Sequence, residues 1–471
     1  MATIFGRLYG AISVKKAKVA AQGSGIFHDG TRIVEEEGHT KEIAVPFPGK
    51  IAYQAASMHS RPPKKFTPIP FTYHQEIDLR IDSLTNLGAG VGRVDGWVVF
   101  VPYALPGELV RTRIFRNDKN HSQGDLVEIL EKSPDRVEPG CALFGTCGGC
   151  QYQHLSYDKQ LAWKTRQIRE LLKHMAGEER EVNACASSEQ IWNYRSKITP
   201  HFEKPVDGVI KEIGFLKVGR RMEILDVPNC PIAMREINDA LPAVHADLRA
   251  NGRSYKRGAT ILLRATEGRV ERDPKAIARE EIGGVKFDFV AGEFFQNNPF
   301  ILEKFTGYVG EKALEGGAKY LVDAYCGAGL FGLCLAGRFE KVMGVEVNEA
   351  GARWAANNVA LNGFTNVSIL QADAEEIFAK IDTPPSETAV VIDPPRKGCS
   401  PEFLAQLVAY GPQRIVYVSC DPATQVRDYK ILREAGYALT EVQPFDLFPH
   451  TRHVECVMTL AKGIAGSGPG A

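Results

Sequence analysis

The sequence lacks an excess of charge of either sign: its 471 residues carry 57 lysines and arginines against 57 aspartates and glutamates. That excludes a globally basic chain, so any nucleic acid must be met by local basic patches. It also lacks an apolar run of membrane-spanning length, so no membrane partner is expected. Cysteine is too sparse for a secreted disulfide scaffold. Ten cysteines, unevenly clustered, point instead to ligation or catalysis in a reducing compartment. Acidic residues are missing before Asp29, where Arg7, Lys15, Lys16 and Lys18 occur. This fits an organellar transit peptide loosely, but serine is sparse and no amphipathic arginine face is visible. A disordered extension or an early start site is the preferred reading of residues 1–72, and the cytoplasm is the expected location.

What is present has an ordinary globular composition, 44 % apolar and 24 % charged, long enough for two to four domains. Arg61 to Pro70 (RPPKKFTPIP) reads as a stiff linker. From Gln75 the pattern becomes β. Glu76 to Asp82 alternates polar and apolar residues, and Trp97 to Pro102, Leu109 to Phe115 and Gly124 to Ile129 read as further strands. The glycines from Gly88 to Gly92 read as turn and bulge positions. This spacing predicts a small antiparallel barrel over 73–133. Arg111, Arg113, Arg116, Lys119 and Lys132 would form either a solvated face or an RNA-backbone contact.

The next segment, CALFGTCGGCQYQH, places Cys141, Cys147 and Cys150 close together. Gly148 and Gly149 allow the backbone to turn two thiolates toward one centre. Four thiolates complete a tetrahedral zinc or an iron–sulfur site. Cys230, in a Pro-bounded loop (VPNCPIA), is the preferred fourth ligand, with Cys185 as its competitor. Spacing does not choose between the metals, and a redox dithiol or unligated thiols are the plainer alternatives. Tyr157 to Met175 has helical spacing and many cations, by default a solvated face. Residues 190–290 read as mixed and strand-rich. Within them Asn193, Tyr194, Arg195 and Lys197 combine an aromatic with cations, suiting RNA contact or edge-strand decoration equally. The whole middle region spans 134–290.

The carboxyl-terminal third, 291–462, alternates strand and helix and predicts an α/β, doubly wound, Rossmann-like sheet, followed by a tail at 463–471. LVDAYCGAGLFG (321–332) is a strand, a glycine loop and a helix start. Glu346 closes the next strand, about twenty residues on, the placement suited to ribose hydroxyls. Asp373 follows strand three, and Asp393-Pro394-Pro395 follows strand four. The fifth strand, RIVYVSC, ends at Cys420, because Pro422 stops it. Carboxyl ends of such strands are where these sheets place ligands. A buried structural cysteine is the plain alternative. Gly327, Gly329 and Gly332 also fit a nicotinamide loop, but the Pro-Pro and the strand-end cysteine disfavour hydride transfer.

Together these segments resemble the RNA uracil-C5 methyltransferase family, over roughly residues 73–462. FFQNNP (294–299), DAYCGAGLFG, DPPRKG, VSCDPAT and HVEC carry the likeness. The resemblance implies a TRAM-type barrel, a mixed central domain and a class I S-adenosylmethionine domain. It implies cofactor contacts at Gln296, Tyr325, Leu330 (through backbone), Glu346, Asp373 and Asp393. It also implies a [4Fe–4S] cluster on Cys141, Cys147, Cys150 and Cys230. Ribosomal RNA is the favoured partner on this likeness, transfer RNA the runner-up, and a monomer the default.

The chemistry then assigns roles. Uracil C5 is a poor nucleophile. A thiolate adding to C6 makes it reactive, and Cys420 is the candidate. A base must afterwards remove the C5 proton, and Glu455 is the candidate. Arg396 and Lys397 suit phosphate contact, and the base must be flipped from its stack. An amino-group methyltransferase using the DPPR loop and a non-catalytic RNA-binding factor are the rival readings.

Overall fold

The computed structural model describes residues 62–372 and 377–463, with the backbone of three short antiparallel strands between 27 and 43. The targeting expectation for the first 28 residues falls, but for Phe27–His28, outside the described residues, as does the tail beyond 463.

Glu76–Leu84, Ala89–Val94, Trp97–Pro102, Leu109–Asn117 and His121–Glu131 close into a five-stranded barrel. Alternation drives it: Leu79, Ile81, Val99, Val101, Val110 and Ile114 fill the interior. Ala89–Val94 is a full strand, where turn and bulge glycines were expected. Its glycines serve close approach instead. A Cβ on Gly90 would lie 2.7 Å from the Ala104 carbonyl, and one on Gly92 would strike the Arg80 carbonyl. The expected basic face is largely neutralised. Arg111 pairs with Asp78 at 2.9 Å, Arg113 with Glu76 at 2.7 Å and Arg116 with Asp118 at 2.7 Å.

The middle region holds three small antiparallel sheets, of four, three and two strands, and the helices Tyr157–Leu171 and Arg235–Ala250. The second helix replaces part of the strand-rich expectation. Pro242 sits inside it, which obscures the helical signal in the sequence. Lys164 also departs from the solvated-face reading. It is fully buried and meets the equally buried Asp446 at 2.6 Å.

The carboxyl-terminal sheet has seven strands: β1 (Tyr320–Ala324), β2 (Lys341–Glu346), β3 (Val367–Gln371), β4 (Thr388–Ile392), β5 (Arg414–Ser419), β6 (Tyr437–Phe445) and β7 (Glu455–Lys462). Their order is β3-β2-β1-β4-β5-β7-β6. β1 to β5 run parallel, while β7 inserts antiparallel between β5 and β6. β4 is buried along its whole length, and β5 nearly so, as expected for strands covered on both faces. The chain order reverses between β1 and β4, which opens a crevice at their carboxyl ends.

Candidate active site

At that crevice lies a cavity of about 620 Å³. Gln296, Tyr325, Leu330, Glu346, Asp393, Cys420 and Glu455 all line it. Asp373 lies outside the described residues. Two of the lining residues carried no signal in the sequence. Val347 and Ser400 face the same space, but nothing in an isolated aliphatic or hydroxyl marks it.

The wall nearest β1 is a backbone cradle. Tyr325, Gly327 and Gly329 have φ of 64°, 56° and 94°, so the loop turns in the left-handed region and leaves its concave side open. Tyr325 adopts this conformation although it carries a side chain, a strain typical of ligand sites. Asp323 accepts from the Gly332 N–H at 2.7 Å through Oδ2, while its buried Oδ1 has no partner. Glu346 accepts from Gly327 N–H at 2.9 Å and from Asn348 N–H at 2.8 Å. The glycine loop is thereby tied to the end of β2. An open cradle, a carboxylate at the wall and an apolar lining fit a nucleoside with an amino-acid tail.

The opposite wall holds the reactive groups. Ser419 pairs with Cys456 in the β5–β7 register, which brings Cys420 and Glu455 to the same edge. Burial pushes the Cys420 thiol up to about 12, and the carboxylates of Glu455 and Asp393 add to this. The Arg396 guanidinium acts the other way. Glu455 is raised well above the usual carboxylate range, first by burial and then by Asp393. Asp393 itself is pushed to about 7 by burial. A thiol, two carboxyls and one guanidinium thus share one cavity, the setting in which proton positions decide reactivity.

Gln151 and Tyr152 anchor the loop before β7. Both N–H groups donate to the His450 carbonyl, at 3.0 and 2.9 Å. Gln160 grips the same residue, its Oε1 accepting from the His450 N–H at 3.0 Å. Trp192 stacks on the His450 ring at 3.7 Å. Tyr194 is buried and donates to the Pro449 carbonyl at 3.0 Å. Lys197 donates to the Glu293 carbonyl at 2.9 Å, just before the Phe294–Gln296 wall. The 193–197 segment therefore braces the site's loops.

Beside this anchor a separate cavity of about 270 Å³ is lined by Cys141, Cys147, Cys150 and Cys230. None of the four is in a disulfide. Cys185 lies elsewhere, buried in the core between the sheet and the Tyr157–Leu171 helix. Among the described residues no group of three or more His, Cys, Asp or Glu side chains could hold a metal ion.

Residues 71–127 match the TRAM domain model, and residues 232–463 match the model described as tRNA (Uracil-5-)-methyltransferase. A Schizosaccharomyces pombe protein named tRNA (uracil(54)-C(5))-methyltransferase is 43% identical, over 84% of this chain and 80% of its own length. The chain belongs to the RNA uracil-C5 methyltransferase family. The enzyme is S-adenosylmethionine-dependent. A Saccharomyces cerevisiae protein of the same name is 32% identical, over 84% of this chain and 75% of its own. Among solved structures, the Pyrococcus abyssi tRNA (uracil-54, C5)-methyltransferase in complex with S-adenosyl-L-homocysteine aligns with a TM-score of 0.65. It is 26% identical, covering 82% of this chain and all of that one. No helix among the described residues is long and apolar enough to cross a membrane.

Proposed function

We propose that the enzyme forms 5-methyluridine in transfer RNA, at the uridine that its relatives' names place at position 54, with Cys420 as nucleophile and Glu455 as base. The observation that carries this is the single cavity in which the glycine cradle, Cys420 and Glu455 meet. Transfer RNA replaces the ribosomal RNA favoured on the sequence, because the fungal relatives and the archaeal structure are all named for transfer RNA.

In this scheme Gln296, Tyr325, the Leu330 backbone, Glu346, Asp373 and Asp393 hold S-adenosylmethionine, which supplies an electrophilic methyl group. The Cys420 thiol gives its proton to water, and the thiolate forms a bond to C6 of the flipped base. The electron pair moves onto the C5–C4–O4 system, where Asp393 or Arg396 can steady it. C5 takes the methyl as the donor's S–CH3 bond breaks, its electron pair going to sulfur so that S-adenosylhomocysteine leaves, and C5 still holds its hydrogen. Glu455, acting from its ionised form, removes that proton. The pair left behind restores the C5–C6 double bond and expels the thiolate. The raised affinity of Glu455 for a proton suits this last transfer.

The four-cysteine cavity is proposed to hold a [4Fe–4S] cluster. The four thiols line one space without gathering as a site for a single metal ion, so they would suit the larger cluster better than one small ion. Its part in the scheme is to staple the segment around Cys150 to the Cys230 loop beside the site.

The test is transfer of labelled methyl to unmodified total RNA, fractionated by size and digested to nucleosides. Label in 5-methyluridine of the transfer-RNA fraction is expected. Label confined to ribosomal RNA would overturn the substrate, and label in another nucleoside would overturn the reaction.

A further inference from the structure

Cys420 belongs to two cavities. Besides the cofactor cavity it lines a second, of about 110 Å³, together with Arg396, Arg452, His453 and, from the barrel, Asn86 and Leu87. This second space reaches the same sulfur by a route that leaves the cofactor cradle free. We infer that the second cavity is the passage by which the target nucleotide reaches Cys420, and that Leu87 is the wedge filling the place the flipped base vacates. The inference rests on the proposed reaction and names a residue on the barrel that takes part in it.

The barrel tip is built to hold its shape. Thr85 Oγ1 accepts from Leu87 N–H at 3.2 Å and Ala89 N–H at 3.1 Å. The Thr85 carbonyl accepts from Gly88 N–H at 3.0 Å and from Gln167 Nε2 at 2.7 Å. Gln167 is buried and also donates to the Tyr152 hydroxyl at 3.0 Å. Gly88, at φ 84°, packs so closely that a Cβ would lie 3.1 Å from the Tyr152 ring. The tip is thus clamped to the segment that anchors the His450 loop.

On this rigid mount the Leu87 side chain is 58% exposed. A solitary exposed leucine means little. A leucine fixed at the rim of a cavity that ends on the proposed nucleophile means more. Flipping a nucleotide costs a few kcal/mol of lost stacking, and apolar side chains inserted at the vacated step offset that cost in other nucleic-acid complexes. Arg396 and Arg452 line the same passage, supplying cations for the flanking phosphates. His453 beside them is held neutral, its basicity lowered to about 4 first by burial and then by Arg396 and Arg452. The occupant that fits a cationic passage with one apolar wedge is a single RNA nucleotide drawn from a stacked loop. A second protein chain would need a broader exposed apolar face: Ile168, Leu171, Pro422 and Val454 also line this space, but of these apolar residues only Leu87 is largely exposed.

The test compares two RNAs with two variants. One RNA is a folded transfer-RNA transcript. The other is a short unstructured oligoribonucleotide carrying the same target loop sequence, whose uridine needs little unstacking. Leu87→Ala should lower kcat/KM on the folded transcript by about tenfold or more, the size set by lost stacking compensation. It should leave the oligonucleotide rate near that of the wild type, and Leu87→Met should restore the folded-transcript rate. Wild-type rates for Leu87→Ala on the folded transcript would overturn the inference. So would an equal loss on both RNAs, which would mark Leu87 as a general binding or folding contact. Absence of transfer to either RNA by the wild-type enzyme would instead strike the proposed function itself, and the inference would fall with it.

Discussion

Cys420 and Glu455 meet because β7 runs against β5: the pairing of Ser419 with Cys456 brings the end of one strand to the start of the other. Two residues 35 positions apart in the chain thus face one cavity from adjacent strands. The arrangement gives one group for each half of a covalent mechanism, and the two halves can be separated experimentally.

Cys420→Ala removes the proposed nucleophile without touching the glycine cradle. Methyl transfer should fall below detection, and RNA containing 5-fluorouridine should form no adduct that survives denaturing electrophoresis. Binding of S-adenosylmethionine by calorimetry should stay within about twofold, since none of the cradle's hydrogen bonds involves this thiol. Full turnover by this variant would end the covalent scheme and favour attack through an amino group.

Glu455→Gln keeps the shape of the side chain and removes its capacity to take a proton. The adduct should form and then persist, with turnover slowed by about a hundredfold or more, the usual scale for a lost general base. An adduct that decays at the wild-type rate would take Glu455 out of the role.

Much of this site was legible in the sequence, and the reason is local. The cradle, the DPP loop and the strand-end cysteine are short motifs whose geometry follows from glycine, proline and β-branched residues within a few positions of each other. Elements that depend on distant contacts were not legible. β6 carries Pro444, which masks it as a strand. Ala89–Val94 is disguised by glycines whose purpose is clear only beside Arg80 and Ala104. Gln160 and His450, 290 positions apart, form their contacts only through the tertiary fold. Leu87 is an ordinary loop residue until the barrel sets it beside Cys420.

The acid–base groups predict a pH profile. In the proposed scheme Cys420 and Glu455 must each give up a proton to act, and in both cases burial resists that loss. Activity is therefore lost on acidification, and log(kcat/KM) should rise with pH from about 6 to 9. Arg396 favours the charged forms of both groups. Arg396→Gln should shift the limb to higher pH, so the deficit against wild type is largest near neutrality and narrows as pH rises. A flat profile, or a shift to lower pH, would mean that neither proton loss limits the reaction.

Lys164 and Asp446 form a fully buried pair that joins the Tyr157–Leu171 helix to the loop preceding β7. Removing one partner leaves a buried charge unpaired, a penalty of about 3–5 kcal/mol. Lys164→Met should lower the denaturant midpoint accordingly, and the double variant with Asp446→Leu should recover part of it. The single variant should also raise hydrogen exchange in the 446–453 segment. An unchanged midpoint would show that the pair carries no such load.

The two candidates for the fourth cysteine are separated by their surroundings. Cys230 lines the cavity with Cys141, Cys147 and Cys150, whereas Cys185 is packed in the sheet core. A thiolate that ligates iron must face the other three, and Cys185 could do so only by leaving its core position. Protein purified without oxygen should contain iron and acid-labile sulfide and should be brown. Cys230→Ser should lose most of that iron and colour. Cys185→Ser should keep both, with a modest loss of stability from placing a hydroxyl in the core. The pattern is read from iron content and absorbance, so it holds whether or not the cluster affects turnover. Iron lost from Cys185→Ser but retained by Cys230→Ser would reassign the ligand. Wild-type protein free of iron under these conditions would remove the cluster, leaving the four thiols as a cavity lining beside the active-site loop.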